Sequence, residues 1–202
     1  MAVPMLMAGQ ACWQKNLLIL DNYMGKHHLI IGETTDFITG KTVVDTHDER
    51  ERQKIAKFLV KDKGFSKSDI TSNVQLSLSV DGDSDTVSID FVIRLRNRAV
   101  MTVKFGPGSI VSRQRPAIAA ARLLEPYIIP YTVISNGQDA IIMKTNSGKV
   151  IGKGFDAILS KKEIETEIEH MNFDTLLPDR IDKEKRILFC MEVLSNRDCE
   201  CN

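Results

Sequence analysis

The sequence predicts an α/β fold, a mixed β-sheet flanked by helices, with extra helices at the C-terminal end. Three observations carry that expectation. Val74–Val80 and the stretch Val87–Phe105 alternate apolar and polar residues, the period-two pattern of half-buried strands. From Thr46 to Val60 the apolar residues recur at helical spacing. The order is then helix, strands, helix, strand, strand and further helices, the succession from which a helix-flanked sheet is built.

Taken in order, residues 1–23 show no clear period and read as a loosely ordered tail, with Met24 as an alternative start. Residues 24–158 read as the main domain and 159–202 as a helical extension. The segment Gly32–Thr42 imitates a phosphate-binding loop. However, Thr35 stands where the first glycine of G-x-x-x-x-G-K-[ST] belongs, so a loop or short hairpin around Thr39–Gly40 is expected instead. Thr46 with Glu49 three residues on is a capping box opening the first helix, and Gly64 supplies its stop. Asp81–Gly82–Asp83 reads as hairpin chemistry. It lacks the glycine and terminal glutamate placement of a calcium loop. Gly106–Pro107–Gly108 reverses the chain, and Pro116 begins a helix whose strong formers run from Ala117 to Leu124. Tyr127–Ser135, Ala140–Lys144 and Val150–Ile151 read as strands separated by the turns at Asn136–Gly137 and Asn146–Gly148. Ser160 with Glu163 is a second capping box, opening a helix to about Met171, and a last helix spans about Ile181–Leu194.

Composition narrows the function classes. A chain of 202 residues buries a core without disulfide or metal staples. Lys and Arg number 27 against 27 Asp and Glu, so any contact with a polyanion must come from local patches. Cys12, Cys190, Cys199 and Cys201 show no disulfide-framework spacing and point to a reducing, cytoplasmic setting. Three thiols near the end make thin grounds for a zinc site, which needs four ligands. His27, His28, His47 and His170 lack the spacing of paired ligands, and Met5–Met7 with Trp13 offers a sticky contact for a partner chain. The run Leu17–Leu20 has no basic flank, so no signal peptide is read. No apolar run approaches the roughly 18 residues of a membrane span.

The chemistry gathers in Val87–Phe105, read as two strands joined by the turn Arg96–Arg98. Val87, Ile89, Phe91 and Ile93 alternate, then Ala99, Met101, Val103 and Phe105. Asp90 therefore has the opposite parity to Ile89 and Phe91, while Thr102 and Lys104 share a face of the second strand. If the register aligns these faces, an aspartate and a lysine meet on one side of the sheet. An acid followed by acid-x-Lys on the next strand is the metal-site hairpin of the PD-(D/E)xK nucleases. Two carboxylates there hold a hard divalent cation, and the lysine assists the attacking water.

The stretch Asp45–Ile158 resembles the N-terminal domain family of type I restriction enzyme R subunits, a branch of that superfamily. The matching pieces are Asp48–Gln53 on the first helix, Ile89–Asp90–Phe91, Val103–Lys104, and the turn Ser135–Asn136–Gly137. The resemblance implies a restriction-endonuclease-like sheet, with Asp90 binding Mg²⁺, Lys104 catalytic, Glu49 assisting at the metal, and Gln114 matching a family glutamine. Thr102 replaces the second metal-binding acid, a departure that Glu49 or Glu125 would have to make good by moving into the site. These residues also hold no P-loop for the motor that R subunits carry.

From Arg94 to Leu124 there are seven basic residues (Arg94, Arg96, Arg98, Lys104, Arg113, Arg115 and Arg122) and no acid. Such a one-sign stretch suits phosphate contacts, with Arg94, Arg96, Arg98, Arg113 and Arg115 the candidates for DNA, although a solvated basic face explains it equally. Three functional readings follow. One is a DNA-associated module of a restriction or defence system with a degenerate metal site. Another is an active Mg²⁺-dependent endonuclease using Asp90, Lys104 and a relocated glutamate. The third is a structural or protein-interaction domain. Protein partners of such a system and a homo-oligomer are expected company.

Overall fold

The computed structural model describes residues 30–195. The N-terminal tail with Met5–Met7, Trp13 and Met24 lies outside the described residues, as do His27, His28, Cys12, Cys199 and Cys201. Strands β1 (Ile30–Thr35) and β2 (Thr42–Thr46) form an antiparallel pair leading into helix α1 (His47–Lys61). Strands β3 (Ile70–Val80), β4 (Asp83–Leu95) and β5 (Arg98–Phe105) make an antiparallel meander. Helix α2 (Gln114–Leu123) crosses to β6 (Tyr131–Ser135), which pairs parallel with β5. Strands β7 (Ala140–Lys144) and β8 (Lys149–Lys153) then complete a six-stranded mixed sheet in sequential order. Helices α3 (Lys161–Glu167) and α4 (Pro178–Leu188) follow, and α4 runs on as a π-helical turn, Phe189–Leu194.

The layers follow from where apolar side chains fall. Ile55, Ala56 and Leu59 of α1 pack against Phe91, Ile93, Met101, Val103, Val133 and Ile142, and Ile164 and Ile168 join the same cluster. On the other side Ala119–Ala121 of α2 meet Val92, Ile129 and, from the C-terminal helix and turn, Leu188, Phe189 and Val193. The sheet is therefore covered by α1 and α3 on one side and by α2 and α4 on the other. Strand β6 is buried along its whole length, as befits a strand beside a parallel crossover. Both hairpin turns of the meander have two residues at positive φ, Asp81–Gly82 and Arg96–Asn97, which gives the twist two-residue hairpins favour. Among the described residues, no helix is long and apolar enough to cross a membrane.

Two elements differ from expectation for identifiable reasons. The strand expected from Tyr127 starts only at Tyr131, because Pro130 has no N–H for a ladder. The preceding amides are used elsewhere, Ile128 N donating to Asp174 O at 2.8 Å and Ile129 N to Ala121 O at 3.4 Å. The last helix starts at Pro178, in the first turn where a proline's missing N–H does no harm.

Candidate functional site

The site begins at a fork in the sheet. Pairing between β4 and β5 runs from the hairpin turn to Phe91 opposite Val103 and Val92 opposite Thr102, so the same register sets Asp90 across from Lys104, where the strands part. Asp90 splints this fork: its Oδ2 accepts from Phe105 N at 2.7 Å. Asn73 of β3, opposite Asp90 in register, has φ +53°, and alternation breaks here. Val87 and Ile89 join the cluster under α2 and α4, whereas Phe91 and Ile93 join that under α1.

Helix α1 brings the second set of groups. Thr46 Oγ1 caps the helix by accepting from Glu49 N at 3.1 Å. Only this half of the expected capping box forms, because the Glu49 carboxylate is engaged further along the helix. Arg52, one turn on, donates from Nη1 to Glu49 Oε2 at 2.5 Å and from Nε to Asp90 Oδ1 at 2.6 Å. Its guanidinium thus bridges the two carboxylates and lies 5.5 Å from the Phe91 ring centre. Burial alone would lower its pKa, but Asp90 and Glu49 hold it above the ordinary arginine value. Gln53 Nε2 continues the chain to Glu49 Oε1 at 2.6 Å and Asp36 Oδ2 at 2.9 Å, while Gln53 Oε1 accepts from Phe37 N at 2.7 Å. Burial pushes the Asp36 carboxyl up, but hydrogen bonds from Thr39 and Gln53 outweigh it and hold it below its usual value.

Of these groups Thr46, Glu49, Arg52, Asp90 and Phe105 line an open cleft of about 530 Å³, with Asp48, Asn73, Lys104, Gly106, Arg113 and Glu192. Lys104 is 7% exposed and its Nζ lies 3.0 Å from Glu192 Oε2 on the π-helical turn. Gly106 leaves room for Arg113: a Cβ there would stand 2.7 Å from Arg113 Cδ.

The structure therefore brings Asp90, Lys104, Glu49 and Arg113 together. It does not bring the remaining candidates. Gln114 opens α2 but is not among the lining residues. Arg94, Arg96 and Arg98 lie at the opposite end of the hairpin, where Arg94 pairs with Glu125 at 2.5 Å, Arg96 with Glu169, and Arg98 stacks on Phe173. Glu125 is thereby far from the fork. Arg115 and Arg122 turn to Glu184 of α4, each at 2.6 Å. Thr102 is 2% exposed, with its Oγ1 lacking a hydrogen-bond partner and outside the cleft lining. Sequence reasoning missed Arg52, Gln53, Asp36 and Glu192. The spacing of Glu49, Arg52 and Gln53 on one helix was the available signal for two of them.

As arranged, the Arg52 guanidinium stands between the Asp90 and Glu49 carboxylates, at 2.6 and 2.5 Å. The charge between the two carboxylates is already supplied by Arg52, and no third acid stands at Thr102. Among the described residues, no group of three or more His, Cys, Asp or Glu side chains converges to hold a metal. A second cavity, about 340 Å³, lies at the other end of β6. There Tyr131 donates to Glu167 at 2.9 Å, and burial with that bond pushes the phenol up to about 12.

No curated protein and no solved structure gives a significant match. The family model described as type I restriction enzyme R protein N terminus matches residues 47–158, from the first residue of α1 to the turn after β8. That span holds Glu49, Arg52, Asp90, Lys104 and Arg113 and covers more than half of the 202 residues, so the chain belongs to the family of type I restriction enzyme R protein N-terminal domains.

Proposed function

We propose that this chain is a DNA-associated module of a restriction system, built on a nuclease-like cleft whose metal site has degenerated. The observation that carries this reading is Arg52 bridging Asp90 and Glu49 at 2.6 and 2.5 Å. A carboxylate pair neutralised by a fixed guanidinium offers a divalent cation little, since the ion would have to expel the arginine before binding. Thr102 reinforces the point, a buried neutral hydroxyl where the nuclease pattern wants an acid.

Association with DNA draws support from α1. Its five exposed residues are His47, Arg50, Lys54, Lys57 and Lys61, a stripe of basic side chains leading away from the cleft. Arg50 and Lys54 are held by Asp45 and Glu51, whereas Lys57 and Lys61 make no ion pair among the described residues. Sequence-independent attraction to a phosphate backbone needs such a surface. The arginines of the β4–β5 turn serve it poorly, being paired or stacked.

A second reading, an active endonuclease, is favoured by one observation: Asp90, Glu49, Lys104 and Glu192 line the same cleft. One experiment separates the two. Duplex binding is measured against salt with Mg²⁺, Mn²⁺ or chelator, and cleavage is assayed for wild type, Lys104→Ala and Thr102→Glu. The proposal expects salt-sensitive, metal-indifferent binding and an inert wild type. Cleavage by wild type that disappears in Lys104→Ala would overturn it. If the protein neither binds nor cleaves, a protein-interaction role replaces both readings.

A further inference from the structure

Lys104 is an almost fully buried ammonium, and lysines are buried at that level only when paired. The family-matched part of the chain ends at residue 158, yet the anion that pairs with Lys104 comes from residue 192. Glu192 sits on the π-helical turn Phe189–Leu194, a form of helix that is rare and concentrates at functional sites. Phe189 and Val193 of that turn are buried in the core under α2, so the backbone carrying Glu192 is fixed by packing rather than held by the ion pair. Further back, Glu184 is clamped by Arg115 and Arg122, and Arg186 donates to both oxygens of Asp81 at 2.5 and 2.7 Å.

The cleft also has a charge balance that bears on what it can admit. Arg52, Lys104 and Arg113 line it against Asp48, Glu49, Asp90 and Glu192. Three cations against four carboxylates give no net attraction for a phosphate. Without Glu192 the balance among the lining residues is even, and the cation it releases is Lys104, in the cleft that Arg113 also lines with its guanidinium across Gly106.

We infer that Glu192 is a built-in stand-in for a phosphate: its carboxylate holds the anion position formed by Lys104 and Arg113, and a phosphoryl ligand enters only in exchange for it. This rests on the reading of the cleft as one that meets a nucleic-acid backbone. Glu192 is then a specificity-determining residue contributed by the C-terminal helices. It sets the affinity of the cleft for phosphoryl oxygens and lets weakly held anions be refused.

The test uses the full chain, isotopically labelled, titrated with inorganic phosphate and followed by amide NMR. Wild type, Glu192→Gln and the double variant Glu192→Gln with Lys104→Met are compared. The glutamine keeps the size of the side chain, and the spectrum itself reports that each variant is folded. Glu192→Gln is expected to bind phosphate about two- to fivefold more tightly than wild type, the range for releasing a partly exposed ion pair. Shifts should centre on Phe105 and Gly106, and the gain should vanish in the double variant. Equal or weaker binding by Glu192→Gln overturns the inference, as does a gain that survives Lys104→Met. Mn²⁺ binding by wild type that is lost in Glu192→Gln would also overturn it, showing a metal ligand instead. A short DNA duplex, run in parallel by fluorescence anisotropy, separates the two claims. If phosphate behaves as expected while the duplex binds neither protein, the exchange stands and the nucleic-acid reading falls.

Discussion

Replacing Arg52 by methionine tests the proposed site most directly. Methionine keeps an unbranched stem against Phe91 and removes only the guanidinium. Two charge-assisted hydrogen bonds go with it, at 2.5 and 2.6 Å, each contributing about 1.5–3 kcal/mol. The Arg52 side chain keeps 17% exposure and its two partners 11% and 14%, so water recovers part of that loss. The net expectation is about 3 kcal/mol, the lower end for stripping one partner from a buried pair. For a chain of this size that lowers Tm by about 6–12 °C. The variant also leaves Asp90 and Glu49 facing each other without a cation. Mn²⁺ or Mg²⁺ should therefore stabilise Arg52→Met, by about 2.7 kcal/mol at a hundredfold excess over Kd, while leaving wild type nearly unmoved. Urea and thermal unfolding with metal or chelator read both effects. A wild type stabilised by metal as strongly as the variant would refute the claim that the guanidinium occupies the cation's place. A loss under about 0.5 kcal/mol, the scale of ordinary surface changes, would refute the bridge itself.

Three further outcomes are expected. Glu184→Gln should destabilise by about 3–5 kcal/mol at neutral pH, because Arg122 and Arg115 would keep their charges beside a neutral amide. Burial raises the Glu184 carboxyl, but the two arginines outweigh it and hold it below its ordinary 4.5. Its stabilising contribution is therefore complete above that pH and lost as pH falls through the folded value, and the variant's acid unfolding curve should lack that part of the slope. Thr102→Val should be neutral or stabilising by about 1 kcal/mol in urea unfolding, since it removes a buried hydroxyl that has no partner. A clear loss would show that the hydroxyl is bonded. Changing Lys54, Lys57 and Lys61 together to Gln should lower the slope of log affinity for duplex DNA against log salt by about 3, and an unchanged slope would remove α1 from the interface.

How far the sequence could be read depended on the range of each interaction. Helix α1, the meander and both hairpin turns are written in local periodicity and turn residues, and they stand within a few residues of expectation. The Ser160–Glu163 capping box forms in full, with bonds of 2.6–3.3 Å, because nothing else competes for Glu163. Glu49 carries the same local signature but is drawn off by Arg52 and Gln53, three and four residues on along the same helix, with Arg52 itself anchored by Asp90 of β4. The pairing of the basic run was hidden for a similar reason. Its neutralising acids stand just outside it or further on, Glu125 immediately after Leu124 and Glu169 and Glu184 downstream, so a count confined to the run sees the arginines and not their partners. That Asp90 faces Lys104 follows from strand register, which alternation constrains only to parity.

The C-terminal helices must therefore be counted as part of the domain's stability as well as of its cleft. Arg122 of α2 is 8% exposed, and its nitrogens bond Thr145 O at 3.0 Å, Asn146 O at 2.6 Å and Glu184 Oε1 at 2.6 Å. Within the family-matched span only the two carbonyls remain, and neither neutralises a buried guanidinium. The same truncation would uncover Ala119–Ala121 and Ile129, which Leu188, Phe189 and Val193 now cover. Both penalties fall on the crossover between β5 and β6, the connection that fixes Lys104 in the sheet. A chain ended at Ile158 should consequently lose cooperative unfolding and expose apolar surface to a hydrophobic dye, although every residue of the family match is present. A sharp unfolding transition with unchanged midpoint would show instead that α4 is an accessory, and Glu192 would then be a contact the cleft can lose without cost.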